Sequence, residues 1–157
     1  MISVSDYCYF LDVALDGMIE IVTTLGDDLA NARPAIADTN SPYVLLTHCL
    51  GVMEYWGGHV VAGRTVERDR DAEFVASGPV APLVARARAV REQFGRDLET
   101  LDAGAPPRGE IRPDFDVEQF CATQGGVLIH IYEEFAQHYG QMEGVRDVLL
   151  APWAERA

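Results

Sequence analysis

The chain contains no lysine: all twelve basic residues are arginine, against 25 aspartates and glutamates, for a formal net charge of −13. So acidic a chain lacks the clustered positive charge that phosphate backbones and anionic lipid headgroups require. Nucleic acid and an anionic membrane surface are therefore excluded as partners. Cysteine is scarce, and Cys8, Cys49 and Cys121 are odd in number and far apart. They make neither a disulfide framework nor a Cys-x-x-Cys site, and read as buried free thiols of a reducing cytoplasm. No run of about 18 apolar residues occurs, so no membrane span is expected. Residues 1–6 lack a basic segment leading into an apolar one, so no secretion signal is expected. Strand-period alternation and internal repeats are also missing. Without His-Glu-x-x-His, a thermolysin-like protease is argued against.

What is present is apolar residues at helical spacing. Tyr7, Leu11, Ala14, Met18, Ile21 and Leu25 alternate steps of four and three, the seam of a bundle helix over residues 5–30. Asn31-Ala32-Arg33-Pro34 ends it, because Pro34 disfavours helical geometry in the residue before it. Ser41 as N-cap and Pro42 as first helical residue open a second helix, which runs to about residue 61. Leu45, His48, Val52 and Tyr55 share one of its faces, and Gly57-Gly58 loosens its last turns. Residues 63–77 form a polar connection whose charges, among them Arg64, Arg68 and Glu73, are expected to lie on a solvated surface.

A third helix starts at 79–82 and carries Leu83, Ala87, Val90, Phe94 and Leu101. Residues 102–113 are a loop rich in glycine and proline. The fourth and longest helix is expected over 116–150, with Gly125-Gly126 marking a kink or a close crossing. The fold class is therefore all-α: a single domain over 1–157, a four-helix bundle with a long crossover between helices 2 and 3. Its amphipathic first and third helices also allow a homodimer.

His130, Glu134 and His138 recur every four residues on the fourth helix and share one stripe. A carboxylate and an imidazole one turn apart are two arms that a helix can offer a transition metal. His48, on the core-facing side of the second helix, is the candidate third ligand. His130 and His138 stand roughly 12 Å apart along the axis and cannot both reach one ion, and spacing alone does not choose between them. His59 lies roughly 16 Å beyond His48 and reads as a structural or surface histidine. An inward carboxylate such as Glu134 is costly unless paired or bound to metal.

Two stretches carry a resemblance, residues 45–56 (LLTHCLGVMEYW) and 130–141 (HIYEEFAQHYGQ), the latter followed by Gly144-Val145-Arg146-Asp147. They resemble the DinB-like superfamily, most closely its branch of mycothiol-dependent maleylpyruvate isomerases and mycothiol S-transferases. The His-x-Gly-Gln ending at His138 is the most telling part, and the likeness in helix order covers nearly the whole chain. The resemblance implies a four-helix bundle holding a divalent metal, usually zinc, with nickel or iron as alternatives. By motif position its ligands fall on His48, Glu134 and His138. Many superfamily members carry histidine where Glu134 stands, whereas the mycothiol-dependent isomerases carry glutamate. His130 becomes a neighbour of the site.

The implied function is a cytoplasmic, metal-dependent thiol transferase or isomerase. A low-molecular-weight thiol, mycothiol or another, would be activated by the metal to attack a small electrophile. Two alternatives are a metal-dependent hydrolase, in which the ion acidifies a bound water, and a non-catalytic metal-binding stress-response bundle. Two histidines and a carboxylate also suit non-haem iron oxygenases, which metal identity would distinguish.

Overall fold

The computed structural model describes residues 2–111 and 121–151. Helix α1 spans Val4–Asn31. It opens on Ser3, whose hydroxyl accepts the Asp6 N–H, while the Asp6 carboxylate accepts the Ser3 N–H. Its buried face is Leu11, Ala14, Leu15, Met18, Ile21, Val22 and Leu25: the expected seam with Leu15 and Val22 added and with Tyr7 only half-buried at its start. Gly26 interrupts the helix at φ 66°, a conformation that side chains with a Cβ rarely adopt. The end at Asn31 is where Pro34 predicts it.

Helix α2 spans Pro42–Val52, with the Ser41 hydroxyl accepting the Val44 N–H. The chain then widens into a π-helical segment over Met53–Val61. Its exit shows the widened spacing: Ala62 N–H reaches Gly57 O at 3.0 Å, five residues back. Gly57 lies directly under the Phe94 ring, which needs the space a Cβ would fill. Gly57 therefore lets this segment approach helix α4 (Val80–Asp97) closely, whereas the space beside Gly58 is filled by the Arg64 guanidinium.

The crossover corrects one expectation. Its charges are not all solvated. A single helical turn, α3 (Arg70–Glu73), turns Glu73 inward until it is 7 % exposed. Arg64 clamps the buried Asp97 of α4 with two hydrogen bonds of 2.7 and 2.9 Å. These charges are buried because each has a partner that replaces water.

Helix α4 spans Val80–Asp97 and ends in a 3₁₀ turn, Leu98–Thr100. Asp27 of α1 accepts the Val80 N–H at 2.8 Å, so one helix caps another. Helix α5 spans Gln124–Leu150, with the Thr123 hydroxyl accepting the Gly126 N–H. This is a second correction. Residues 121–123 are turn rather than helix, and the rest of the expected start, 116–120, lies outside the described residues. Gly125 marks a close approach, since a Cβ there would sit 2.9 Å from Ala103 O.

Four long helices surround one apolar cluster that runs from Leu11 through Leu45, Phe94 and Ile131 to Met142. Every element among the described residues is helix, turn or loop, as the all-α reading requires. No helix among them is long and apolar enough to cross a membrane. On α1, Tyr9, Phe10 and Val13 are exposed apolar residues.

Candidate metal centre

Helix α2 carries His48 at the centre of its buried face, and α5 faces it with Glu134 and His138 one turn apart. His48 Nε2 lies 3.2 Å from Glu134 Oε2, and His138 Nε2 lies 3.4 Å from the same oxygen. The two imidazoles meet edge to face, with centroids 5.1 Å apart. One ligand atom from each of the three residues lies within 4.8 Å of the others.

His130 takes a different place. Its Nε2 is 3.9 Å from the other Glu134 oxygen, and its ring stands edge-on to Trp56 at 5.2 Å. Sequence spacing left the pairs 130/134 and 134/138 open; the three-residue cluster includes the second pair. His59 is structural, as expected. Its ring nitrogens lie 2.7 Å from Arg64 O and 2.9 Å from Glu110 O, tying two loops to the π-helical segment.

Sequence reasoning missed the residues behind His48. Its Nδ1 lies 2.9 Å from Glu73 Oε2. Arg68 holds that carboxylate by both oxygens, at 2.7 and 2.9 Å, with its own side chain only 4 % exposed. Phe74 covers the His48 ring at 4.9 Å, and the Arg70 guanidinium lies over Phe74 at 5.0 Å. All four come from the connection whose composition suggested surface. Gly51, three residues after His48, is the one visible clue, since glycine inside a helix costs stability and here leaves room for the Glu73 carboxylate.

The electrostatics are specific. An ionised carboxylate can only accept hydrogen bonds, and a neutral imidazole has one N–H. His48 has a carboxylate on each ring nitrogen, so with Nδ1–H donated to Glu73 its Nε2 lone pair would face Glu134 oxygen. A cation between them, either a proton or a metal ion, would relieve that contact; the other tautomer would donate Nε2–H to Glu134 and leave Nδ1 facing Glu73, with Arg68 Nη2 3.4 Å away. The balance of burial against hydrogen bonding at each group points the same way. Burial pushes the His48 pKa down, but hydrogen bonds to Glu134 and Glu73 outweigh burial and leave it raised. Burial pushes Glu134 up, yet bonds from His138 and His48 hold it well below the usual carboxylate range. Glu73 is likewise lowered, its burial outweighed by Arg68 and His48.

The donor set fits a divalent ion. Ligands about 2.0–2.1 Å from a tetrahedral zinc lie roughly 3.3 Å from one another, close to the two short separations here. Cys49 adjoins the site, its thiol 3.9 Å from Glu134 O, but does not belong to the donor set. Burial and the charges of Glu134 and Glu73 push its thiol well above the ordinary range. Cys121 is pushed up to about 11 by burial, and Cys8 is raised by the same cause.

Among known proteins, no curated sequence and no solved structure matches the chain. One family model does, over residues 8–150, and it describes mycothiol S-transferases.

Proposed function

The chain belongs to the mycothiol S-transferase family, and from that premise we propose that it is a divalent-metal-dependent transferase. It joins a low-molecular-weight thiol, mycothiol or a relative, to a small electrophile in the cytoplasm, where such thiols are kept reduced. His48, Glu134 and His138 are the proposed ligands, and zinc is the proposed ion. The observation that carries the reading is the conflict at His48, whose two ring nitrogens both face carboxylate oxygens.

When bound, a divalent cation supplies the positive charge that favours a thiolate, the reactive form of a thiol. The chain's residues supply the rest. Three donors on two helices leave a position open to a further partner. Trp56 packs against His130 and Phe74 against the buried His48, while His138 and Glu134 keep 22 % and 27 % of their side-chain surface open to a substrate. Cys8, Cys49 and Cys121 lie outside the three-residue donor set and burial raises all three thiols, so the reacting sulfur is assigned to a second substrate, as the family suggests. Its lone pair forms the C–S bond, while a leaving group departs with its bonding pair. With an unsaturated electrophile, the π pair instead takes up a proton.

Two measurements test this. Protein purified without added metal or a histidine tag is assayed for metal, and for adduct formation between mycothiol and a fluorogenic haloalkyl compound. The expectation is about one ion per chain and an acceleration that a chelator removes. A loaded protein that accelerates no thiol–electrophile pair is a non-catalytic metal-binding bundle. Protein that takes up no metal has ordinary core histidines, and the reading fails.

A further inference from the structure

We propose that Glu73 is a positioning residue for the metal centre: clamped by Arg68 and admitted by Gly51, it turns His48 so that Nε2 is the donor. The inference rests on the reading that His48 is a ligand, and concerns how the chain makes it one.

A histidine can offer either ring nitrogen, and the partner of the other nitrogen decides which. Here that partner is a carboxylate 2.9 Å from Nδ1. Glu73 cannot drift, because the Arg68 guanidinium binds both of its oxygens in a planar fork. Both of its oxygens already accept hydrogen bonds from Arg68, at 2.7 and 2.9 Å, so the group facing Nδ1 is an acceptor. Phe74, next in sequence, covers the imidazole face at 4.9 Å. One short segment therefore sets both the tautomer and the tilt of the ring.

The helix itself is built to accept this carboxylate. Gly51 lies one turn beyond His48 on α2, and a Cβ there would stand 2.7 Å from the Glu73 carboxyl carbon and 3.3 Å from Arg68 Nε. Glycine costs a helix stability relative to alanine, so its use inside α2 needs a cause, and the slot for Glu73 supplies one. A buried ion pair is weak evidence of a stabilising role; orientation of His48 accounts for its position against the ring.

The test compares wild type, Glu73→Gln, Gly51→Ala and the double variant. Metal dissociation constants come from titration against a chromophoric chelator, and the cobalt(II)-substituted proteins give ligand-field spectra. Far-UV circular dichroism checks folding. The amide of Glu73→Gln can present N–H to Nδ1 and favour the wrong tautomer. Gly51→Ala leaves every polar group intact, and its methyl pushes the flexible Glu73 end toward an adjoining cleft of about 250 Å³ that Thr47 and Glu54 also line. Each single variant is expected to bind metal about 10–100-fold more weakly, with an altered cobalt spectrum. The double variant is expected to be no weaker than the worse single one, because both changes remove the same contact. Wild-type affinity and spectrum in folded Glu73→Gln or folded Gly51→Ala overturn the proposal and leave the metal reading standing. Independent, additive losses in the double variant also overturn it. A wild type that binds no metal overturns the metal reading, and this inference with it.

Discussion

Metal should raise the melting temperature of the wild type, and removing His138 should abolish that rise. An ion that binds only the folded state stabilises it by RT ln(1 + [L]/Kd), about 2.7 kcal/mol when free metal is a hundred times Kd. For a chain of 157 residues each kcal/mol moves the midpoint by roughly 2–4 °C, so the wild type should gain roughly 5–11 °C over the chelated protein. His138 stands 3.4 Å from the Glu134 oxygen that His48 also approaches, so His138→Ala leaves two of three donors. A loss of at least about a hundredfold in affinity follows, since even residues that only support a ligand account for 10–100-fold. At the same metal concentration the gain then falls to about 0.4 kcal/mol, or roughly 1–2 °C. His48→Ala and Glu134→Ala should behave alike. His130→Ala should keep most of the gain, because its Nε2 lies 3.9 Å from the other Glu134 oxygen. His59→Ala should melt lower with and without metal, having lost its loop contacts, yet keep the full gain. Differential scanning fluorimetry with zinc or with chelator reads all six proteins. A wild-type gain surviving in His138→Ala would show that the ligand set is wrong.

Two further outcomes follow from packing. Native protein at pH 8 should react slowly with a disulfide reagent at Cys49 and Cys121, while unfolded protein should release all three thiols. With its pKa at about 11, Cys121 is thiolate in roughly one molecule per thousand at pH 8, and its rate should climb tenfold per pH unit toward that value; fast stoichiometric labelling at neutral pH refutes the burial argument. Gly57→Ala should destabilise the bundle by about 1–3 kcal/mol while leaving metal content unchanged, because the new methyl would lie 2.5 Å from Phe94 Cδ2. Thermal denaturation measures the first part, and an unshifted midpoint refutes it.

The parts of the molecule that local rules govern were legible in the sequence. The α1 seam from Leu11 to Leu25, the Ser41–Pro42 start and the stop before Pro34 depend on residues a few positions apart. The facing of His48 toward the stripe of His130, Glu134 and His138 follows from helix period together with bundle topology, whereas the choice of His138 over His130 comes from the family resemblance. Arg68 and Glu73 were not legible, because nothing within residues 63–77 distinguishes the charge that turns inward from its solvated neighbours. Only the path of the crossover over α2 does that. The start of α5 was misjudged for a related reason: apolar residues continue upstream of Thr123, and periodicity cannot register a hydroxyl cap. The π widening after Val52 has no local signal either, and the segment it forms lies against the Phe94 ring at Gly57.

The charges around His48 suggest why a glutamate stands at position 134. Arg68 and Glu73 cancel as a buried pair, so the crossover orients the imidazole without adding net charge to the site. A dication beside one ionised Glu134 and two neutral imidazoles leaves a net charge of +1. That excess suits one further anion, and a thiolate would bring the enclosed group to neutrality. With histidine in place of Glu134 the excess would be +2, favouring an anion more strongly but also holding it more tightly. Glu134→His is thus a more informative change than removal of the carboxylate. It keeps three donors while altering the charge, so it should retain metal, lower the pH at which a thiol is activated and slow release of the thioether product. Metal retained with an unchanged pH–rate profile would show that the charge at position 134 does not control the chemistry.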